Sequence, residues 1–139
     1  MSGGRLPPED PREWLNRARS SLIRARLEAP GVYLEDLAFD AQQAAEKAIK
    51  AVLIHRKVRF PAVHDVGRLL TLVEESGGAV PEPIRRAAGL TRFAVAARYP
   101  GLGEPLGREE YEEAVALAAA VVQWAEAVVG TGQPPAPRA

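Results

Sequence analysis

The stretch YLEDLAFDAQQAAEKAIKAVLIHRK, residues 33–57, is the clearest indication of the fold in this chain. Its apolar residues recur at intervals of three and four, which is the period of one face of an α-helix. The residues of this stripe are Leu34, Leu37, Ala38, Ala41, Ala45, Ala48, Ile49 and Val52. Because alanine fills much of the stripe, a neighbouring helix can approach closely. The pattern therefore predicts a long helix at the centre of the fold.

Four further helices are predicted from apolar stripes of the same period, over about 11–28, 64–76, 82–97 and 108–129. No alternating pattern of the kind that strands show stands out. Asp10 and Pro11 suit the start of the first helix, and Glu13 completes a start that resembles a capping box. Gly130 suits the end of the last helix.

These amphipathic helices and their mostly short connections predict an all-α fold, an up-and-down bundle of four to five helices. A length of 139 residues fits one domain, which we expect over residues 11–130. Residues 1–10 are predicted to be a disordered N-terminus. The tail TGQPPAPRA, residues 131–139, is rich in glycine and proline and is also predicted to be disordered.

The composition excludes several classes of protein. The chain has no cysteine, so disulfides, cysteine nucleophiles and thiolate metal sites are excluded. No apolar run approaches the length of about 20 residues that a membrane span requires. The N-terminus lacks the apolar core of a signal peptide, so we expect a cytoplasmic protein with no membrane association. The balance of 18 basic and 18 acidic residues argues against a general polyanion binder.

The charges are unevenly distributed along the chain. Residues 47–68 contain six lysines or arginines and a single acid, whereas residues 98–139 contain three arginines and six glutamates. Such an asymmetry suits a local anion site or a complementary partner, and it also suits ordinary solvated helix faces.

Motifs of the common catalytic and cofactor sites are missing. The sequence GLG at 101–103 lacks the preceding strand and the following glycine of a dinucleotide site. His55 and His64 are nine positions apart on either side of Pro61, and no third metal ligand suggests itself. We therefore predict no metal and no cofactor.

Several longer strings together resemble the HEPN domain, the nucleotide-binding domain of higher eukaryotes and prokaryotes. The strings are WLNRARSSLIRAR at 14–26, FDAQQAAEKAIKAVLIHRKVRFPAVHDVGRLL at 39–70, ARYPG at 97–101 and EEAVALAAAVVQWAE at 112–126. The resemblance implies a helical bundle that commonly forms symmetric dimers. It also implies pairing with a minimal nucleotidyltransferase in systems of the toxin–antitoxin type. Some members of the family are ribonucleases, in which an arginine holds phosphate and a histidine does acid–base work.

The ribonuclease motif of the family has an arginine, four residues, a histidine, one residue and a tyrosine. The corresponding string here is RFAVAARY, in which Arg92 and Tyr99 are present but Ala97 takes the position of the histidine. A methyl group cannot transfer a proton, so we predict no catalytic residues. Arg92 and Arg98 could fork a phosphate and Tyr99 could stack on a base. Alternatively, Tyr99 packs the loop onto the bundle.

A second string also satisfies the arginine–histidine spacing, since Arg59 precedes His64 by five positions. Pro61 lies between the two residues and breaks the helix, so their side chains need not share a face. We favour a structural role for His64, next to Asp65 as the cap of the third helix. Contact with a ligand and catalysis are the alternatives. His55 is predicted to face solvent near the end of the second helix.

Lys47 and Lys50 are the last candidates for phosphate binding. They lie three positions apart on the predicted central helix and share a face with Gln43 and Glu46. The alternative is an ordinary solvated face.

These patterns predict a non-catalytic module that binds a nucleotide, RNA or a partner protein, and that forms a homodimer. The alternative is a HEPN ribonuclease that works without metal and recruits His64 in place of the missing histidine. A third hypothesis is a structural adaptor that binds no nucleotide.

Overall fold

The computed structural model describes residues 4–96 and 105–130 of the chain, except for the side chains of Val95 and Ala96. Within these ranges the protein consists of helices and their connections, without strands. The elements are α1 (Pro11–Ala25), α2 (Leu34–His55), α3 (Val66–Glu75), α4 (Glu82–Arg85), a 3₁₀ segment (Arg86–Leu90), α5 (Thr91–Ala96) and α6 (Arg108–Val129). The predicted all-α bundle is confirmed.

Helix α2 lies at the centre, where α1, α3, α5, the 3₁₀ segment and α6 all contact it. Its alanines have no exposed surface, namely Ala38, Ala41, Ala44, Ala45, Ala48 and Ala51. Small side chains on this stripe let the neighbouring helices approach α2, and larger residues such as Leu15 and Val121 fill the space between them. The predicted central position of this helix is confirmed. Its alanine stripe is covered within one subunit, so a dimer must use another surface.

Helix α1 begins as predicted and ends earlier. Asp10 is its N-cap, and the carboxylate accepts a hydrogen bond from the backbone N–H of Arg12. Glu13 does not close a capping box, because its carboxylate accepts instead from the N–H of Leu6 at 3.1 Å. The helix ends at Ala25 rather than near residue 28. The hydroxyl of Tyr111 donates to the Ala25 carbonyl at 2.6 Å, which satisfies one acceptor of the last turn.

The predicted fourth helix is divided into α4, the 3₁₀ segment and α5. Gly89 lies in the 3₁₀ segment, and glycine weakens an α-helix at this position. The segment also packs closely on α3, because a Cβ at Gly67 would lie only 3.2 Å from the Cβ of Ala88. The hydroxyl of Thr91 accepts from the N–H of Val66 and joins the starts of α5 and α3. Tertiary contacts therefore override the apolar periodicity of this region.

No helix in the described parts of the chain is long and apolar enough to cross a membrane.

Candidate functional site

Glu46 is the centre of a buried polar cluster on α2. Its carboxylate accepts hydrogen bonds from Nζ of Lys50 at 2.8 Å and from Nε2 of Gln42 at 3.0 Å. Nδ1 of His64 lies 3.0 Å from the same carboxylate. Burial raises the pKa of Glu46, but the hydrogen bonds from Lys50, Gln42 and His64 outweigh burial and hold its pKa below the usual 4.5. The carboxylate is therefore ionised at neutral pH.

The ionised carboxylate decides the tautomer of His64. A carboxylate only accepts hydrogen bonds, so Nδ1 of His64 carries the hydrogen in this contact. The side chain of His64 is 50% exposed. The His64 carbonyl accepts from Nε2 of Gln42 at 3.1 Å, so both backbone and ring are joined to α2.

Asp65 is the N-cap of α3, as predicted, and its carboxylate accepts from the N–H of Arg68. Helix α3 begins at Val66 rather than at the predicted residue 64. The structural role favoured for His64 involves a distant residue, because its ring contacts Glu46, which is 18 positions earlier in the chain. His55 lies at the end of α2 and is exposed, as predicted.

Lys50 is buried and already paired. Besides its ion pair with Glu46, its ammonium lies over two aromatic rings, at 5.8 Å from the centroid of Trp14 and 5.6 Å from that of Phe60. Buried lysines are stable only when such partners are present. Lys50 therefore holds Glu46 and the two aromatic rings in place, and its positive charge is balanced by the Glu46 carboxylate inside the fold.

Lys47 is separated from this cluster although it lies only three positions from Lys50. Its ammonium donates to Oγ of Ser21 on α1 at 2.9 Å. It lines an open cleft of about 400 Å³ at the contact of α1, α2 and the N-terminal segment. This α1–α2 cleft is lined by, among others, Arg5, Glu13, Arg17, Ser21, Arg24 and Lys47.

Arg92 lies in a second cleft, of about 330 Å³, beside α6. This α5–α6 cleft is lined by, among others, Arg86, Leu90, Arg92, Phe93, Glu110 and Glu113. The guanidinium of Arg92 is 60% exposed, lies 4.6 Å from the ring centroid of Phe93 and is 3.5 Å from the Glu110 carboxylate. Two arginines and two glutamates are among the described residues that line this cleft, and the charges of these four side chains balance.

The predicted site residues therefore fall into separate groups. Lys47 lines one cleft and Arg92 the other, whereas Lys50 and His64 belong to the Glu46 cluster. His64 is not among the residues that line the α5–α6 cleft. The predictions for Ala97, Arg98 and Tyr99 lie outside the described residues. No group of three or more potential metal ligands exists in the described ranges 4–96 and 105–130.

Glu46 and the arginines of α1 were missed as site residues, for different reasons. The spacing of Gln42, Glu46 and Lys50 at intervals of four was a signal, because such side chains meet on a helix. Arg17 and Arg24 gave no comparable signal, because their common cleft depends on how α1 packs against α2.

Two solved structures resemble this fold. A crystal structure of TT1696 from Thermus thermophilus has 32% identity and a TM-score of 0.75, covering 86% of this chain and 98% of its own. A crystal structure of ST0689, described as an archaeal HEPN homologue, has 26% identity and a TM-score of 0.68, covering 84% of this chain and 95% of its own. No curated protein matches the chain.

The family comparison agrees with these structures. The family model of the HEPN domain matches residues 11–128, which is nearly all of the helical bundle. The chain therefore belongs to the HEPN domain family.

Proposed function

We propose that this chain is a non-catalytic HEPN module that binds a nucleotide or RNA through phosphate. The observation that carries the proposal is the separation of His64 from Arg92. The ring of His64 is held by Glu46, whereas Arg92 lines the α5–α6 cleft, to which His64 does not contribute. Cleavage of RNA by this family's chemistry needs an arginine on phosphate and a histidine within reach of the same phosphate.

The sequence adds a second reason. Ala97 stands where the family's ribonuclease motif has histidine, so the arginine of that motif has no proton-transfer partner five positions later. The cationic side chains that remain are suited to hold phosphate. In this proposal Lys47, Arg92, Arg98 and Tyr99 contact the ligand. Lys50 and His64 act through the Glu46 cluster, which supports α2.

One observation favours the alternative, a metal-independent ribonuclease. A carboxylate that orients Nδ1 of a half-exposed histidine leaves Nε2 able to accept a proton, which is the arrangement of a general base. In this second hypothesis His64 takes the place of the missing histidine and Arg92 holds the phosphate.

Labelled RNA separates the two hypotheses. Purified wild type, His64→Ala and His55→Ala are incubated with RNA, and the products are resolved on a denaturing gel. We expect intact RNA with all three proteins. His55 is the matched control, because it is the other histidine of the chain, is exposed and lies at the end of α2. Cleavage by wild type and His55→Ala that His64→Ala abolishes would establish the ribonuclease and refute the non-catalytic proposal.

Binding is tested by titration of wild type and Arg92→Ala with ATP and with single-stranded RNA at low salt, where phosphate contacts are strongest. We expect binding by wild type and a loss of about tenfold in Arg92→Ala, as one charge-assisted contact would give. If neither ligand binds the wild type, the structural adaptor becomes the better hypothesis.

The partners of the module follow from the family resemblance. We infer a homodimer in the cytoplasm that acts with a minimal nucleotidyltransferase in a system of the toxin–antitoxin type. Four large apolar side chains at the end of α1 and in its connection to α2 are exposed and support a contact between two copies: Ile23, Leu27, Val32 and Tyr33.

Sedimentation of wild type and of the double variant Leu27→Ser, Tyr33→Ser tests the dimer. We expect a dimer for wild type and a monomer for the variant, with unchanged helix content. Co-purification with a nucleotidyltransferase encoded beside this chain tests the second partner. A wild-type monomer, or the lack of such a neighbouring gene, would contradict the corresponding part of the proposal.

A further inference from the structure

The α1–α2 cleft carries a concentration of positive charge that the chain as a whole does not have. Four cationic side chains line it, those of Arg5, Arg17, Arg24 and Lys47, and Glu13 is the one carboxylate among the lining residues that the structure describes. Both oxygens of Glu13 are occupied, one by the N–H of Leu6 and the other by Nε of Arg17. The described lining residues therefore carry four positive charges and one negative charge, in a protein whose formal net charge is zero.

The two arginines that α1 contributes to the cleft, Arg17 and Arg24, keep most of their hydrogen-bond donors. Arg17 uses Nε for Glu13, and Arg24 uses one terminal nitrogen for Asp40 at 3.1 Å. Each side chain is more than half exposed. A guanidinium has five N–H donors in a planar fork, so the remaining donors suit the oxygens of a phosphate.

Lys47 adds a partly buried positive charge, which burial and the nearby Arg24 together destabilise. Burial lowers the pKa of Lys47, and the positive charge of Arg24 lowers it further, although Glu46 and Asp40 act in the opposite direction. Its ammonium donates to Oγ of Ser21, whose own hydrogen can then be donated to a ligand. An anion in the cleft would offset both the repulsion and the cost of burial.

The lining of the cleft indicates which part of a ligand it contacts. Arginine, lysine, serine and asparagine side chains surround it, and no aromatic residue is among the lining residues within the described ranges. A base would have no ring to stack on, so the site suits phosphate rather than base. A phosphate monoester carries nearly two negative charges at neutral pH, whereas a phosphodiester carries one. The excess of cations therefore favours a monoester.

We propose that the α1–α2 cleft binds the terminal phosphate monoester of a nucleotide or of an RNA strand. This inference rests on the proposed function for its ligand, and it adds a contact with the terminal phosphate between α1 and α2, separate from the phosphate contact at Arg92. Arg17, Arg24 and Lys47 contact the phosphate oxygens, and Arg5 closes the site from the N-terminal segment. The cleft recognises the charge of the phosphate at the strand end and does not discriminate between bases.

The test compares one fluorescent RNA sequence with a 5′-phosphate or a 5′-hydroxyl end, by anisotropy with the full-length protein. We expect the phosphorylated strand to bind wild type at least about tenfold more tightly, because one charge-assisted contact already contributes about a factor of ten. Arg24→Gln and Lys47→Gln should each remove most of this difference. Arg12→Gln is the matched control, since Arg12 also lies on α1 but pairs with Asp10 and does not line the cleft.

Calorimetry with inorganic phosphate and with AMP distinguishes a free small ligand from a strand end. Binding of either ligand by wild type and its loss in Arg24→Gln would support the cleft even if RNA failed to bind, and only the RNA part of the proposed function would then be refuted. Equal affinity for the two RNA ends would overturn the cleft proposal. So would RNA binding that Arg92→Ala removes and Arg24→Gln leaves unchanged, and in that case the proposed function would stand.

Discussion

Nδ1 of His64 lies 3.0 Å from the carboxylate of Glu46, and this contact joins the connection before α3 to the middle of α2. The same carboxylate accepts from Lys50, whose ammonium is buried against Trp14 of α1 and Phe60. The ion pair of Glu46 and Lys50 therefore links α1, α2 and the start of α3. His64 is part of this link, and the Glu46 carboxylate orients its ring.

Removing the Glu46 charge should destabilise the fold strongly. Glu46→Gln leaves Lys50 buried at 7% exposure without its counter-charge. Breaking a buried ion pair in this way costs about 3–5 kcal/mol. We expect a loss of this size in the free energy of unfolding, measured by urea denaturation. Glu75→Gln, which changes an exposed glutamate at the end of α3, is the control and should change stability by less than about 0.5 kcal/mol. A similarly small effect of Glu46→Gln would contradict the central role of this carboxylate.

The same carboxylate should contribute to acid sensitivity. Its pKa is held below 4.5 in the folded protein, so its stabilising contribution is complete above 4.5 and is lost as the pH falls through the folded value. The difference in unfolding free energy between wild type and Glu46→Gln should therefore narrow as the pH falls below 4.5. Urea denaturation of both proteins over a series of acidic buffers measures this difference in unfolding free energy. A difference that stays constant with pH would show that charge is not the cause.

Tyr111 should stabilise the packing of α6 on the end of α1. Its hydroxyl donates to the carbonyl of Ala25 at 2.6 Å in a buried position. Tyr111→Phe leaves that carbonyl without this donor, and a buried unsatisfied acceptor costs about 1–3 kcal/mol. Tyr33→Phe is the matched control, because Tyr33 is 71% exposed. Thermal and urea unfolding should separate the two variants, and equal stability of both would refute the role of this bond.

Phosphate binding in the α1–α2 cleft should weaken at alkaline pH. Burial and then the charge of Arg24 lower the pKa of Lys47 below its usual 10.5, so Lys47 loses its charge before an ordinary lysine would. Arg24 keeps its charge throughout this range. Above about pH 8, where inorganic phosphate is already doubly charged, we expect its affinity, measured by calorimetry, to fall with rising pH below 10.5. Lys47→Gln should bind more weakly and lack this fall. The same pH profile in both proteins would place the titrating group elsewhere.

The helices that the sequence predicts well are those whose apolar stripe, caps and breaks agree. For α2 the alanine stripe is continuous, and for α1 and α3 the caps Asp10 and Asp65 are found where they were expected. The fourth predicted helix is interrupted in the middle by the 3₁₀ segment, which contains Gly89. There the packing of the segment on Gly67 of α3 decides the backbone, and apolar spacing carries no information about that contact.

The candidate site was predicted less completely. Lys47 and Lys50 look alike in the sequence, yet one lines a cationic cleft and the other is neutralised inside the fold. Helical spacing places both on neighbouring positions, but only the packing of α1 decides which of them meets Ser21 and which meets Trp14.

The helical bundle, its central helix and its family were predictable from the sequence alone, because these depend on local periodicity and on motifs within short stretches. The packing of the helices set which partner each polar side chain contacts. Hydrogen bonds and ion pairs form over distances of a few ångströms, and the partners of His64, Lys47 and Tyr111 lie 18, 26 and 86 positions away in the chain. Such contacts form only when the helices pack, so no local pattern can specify them.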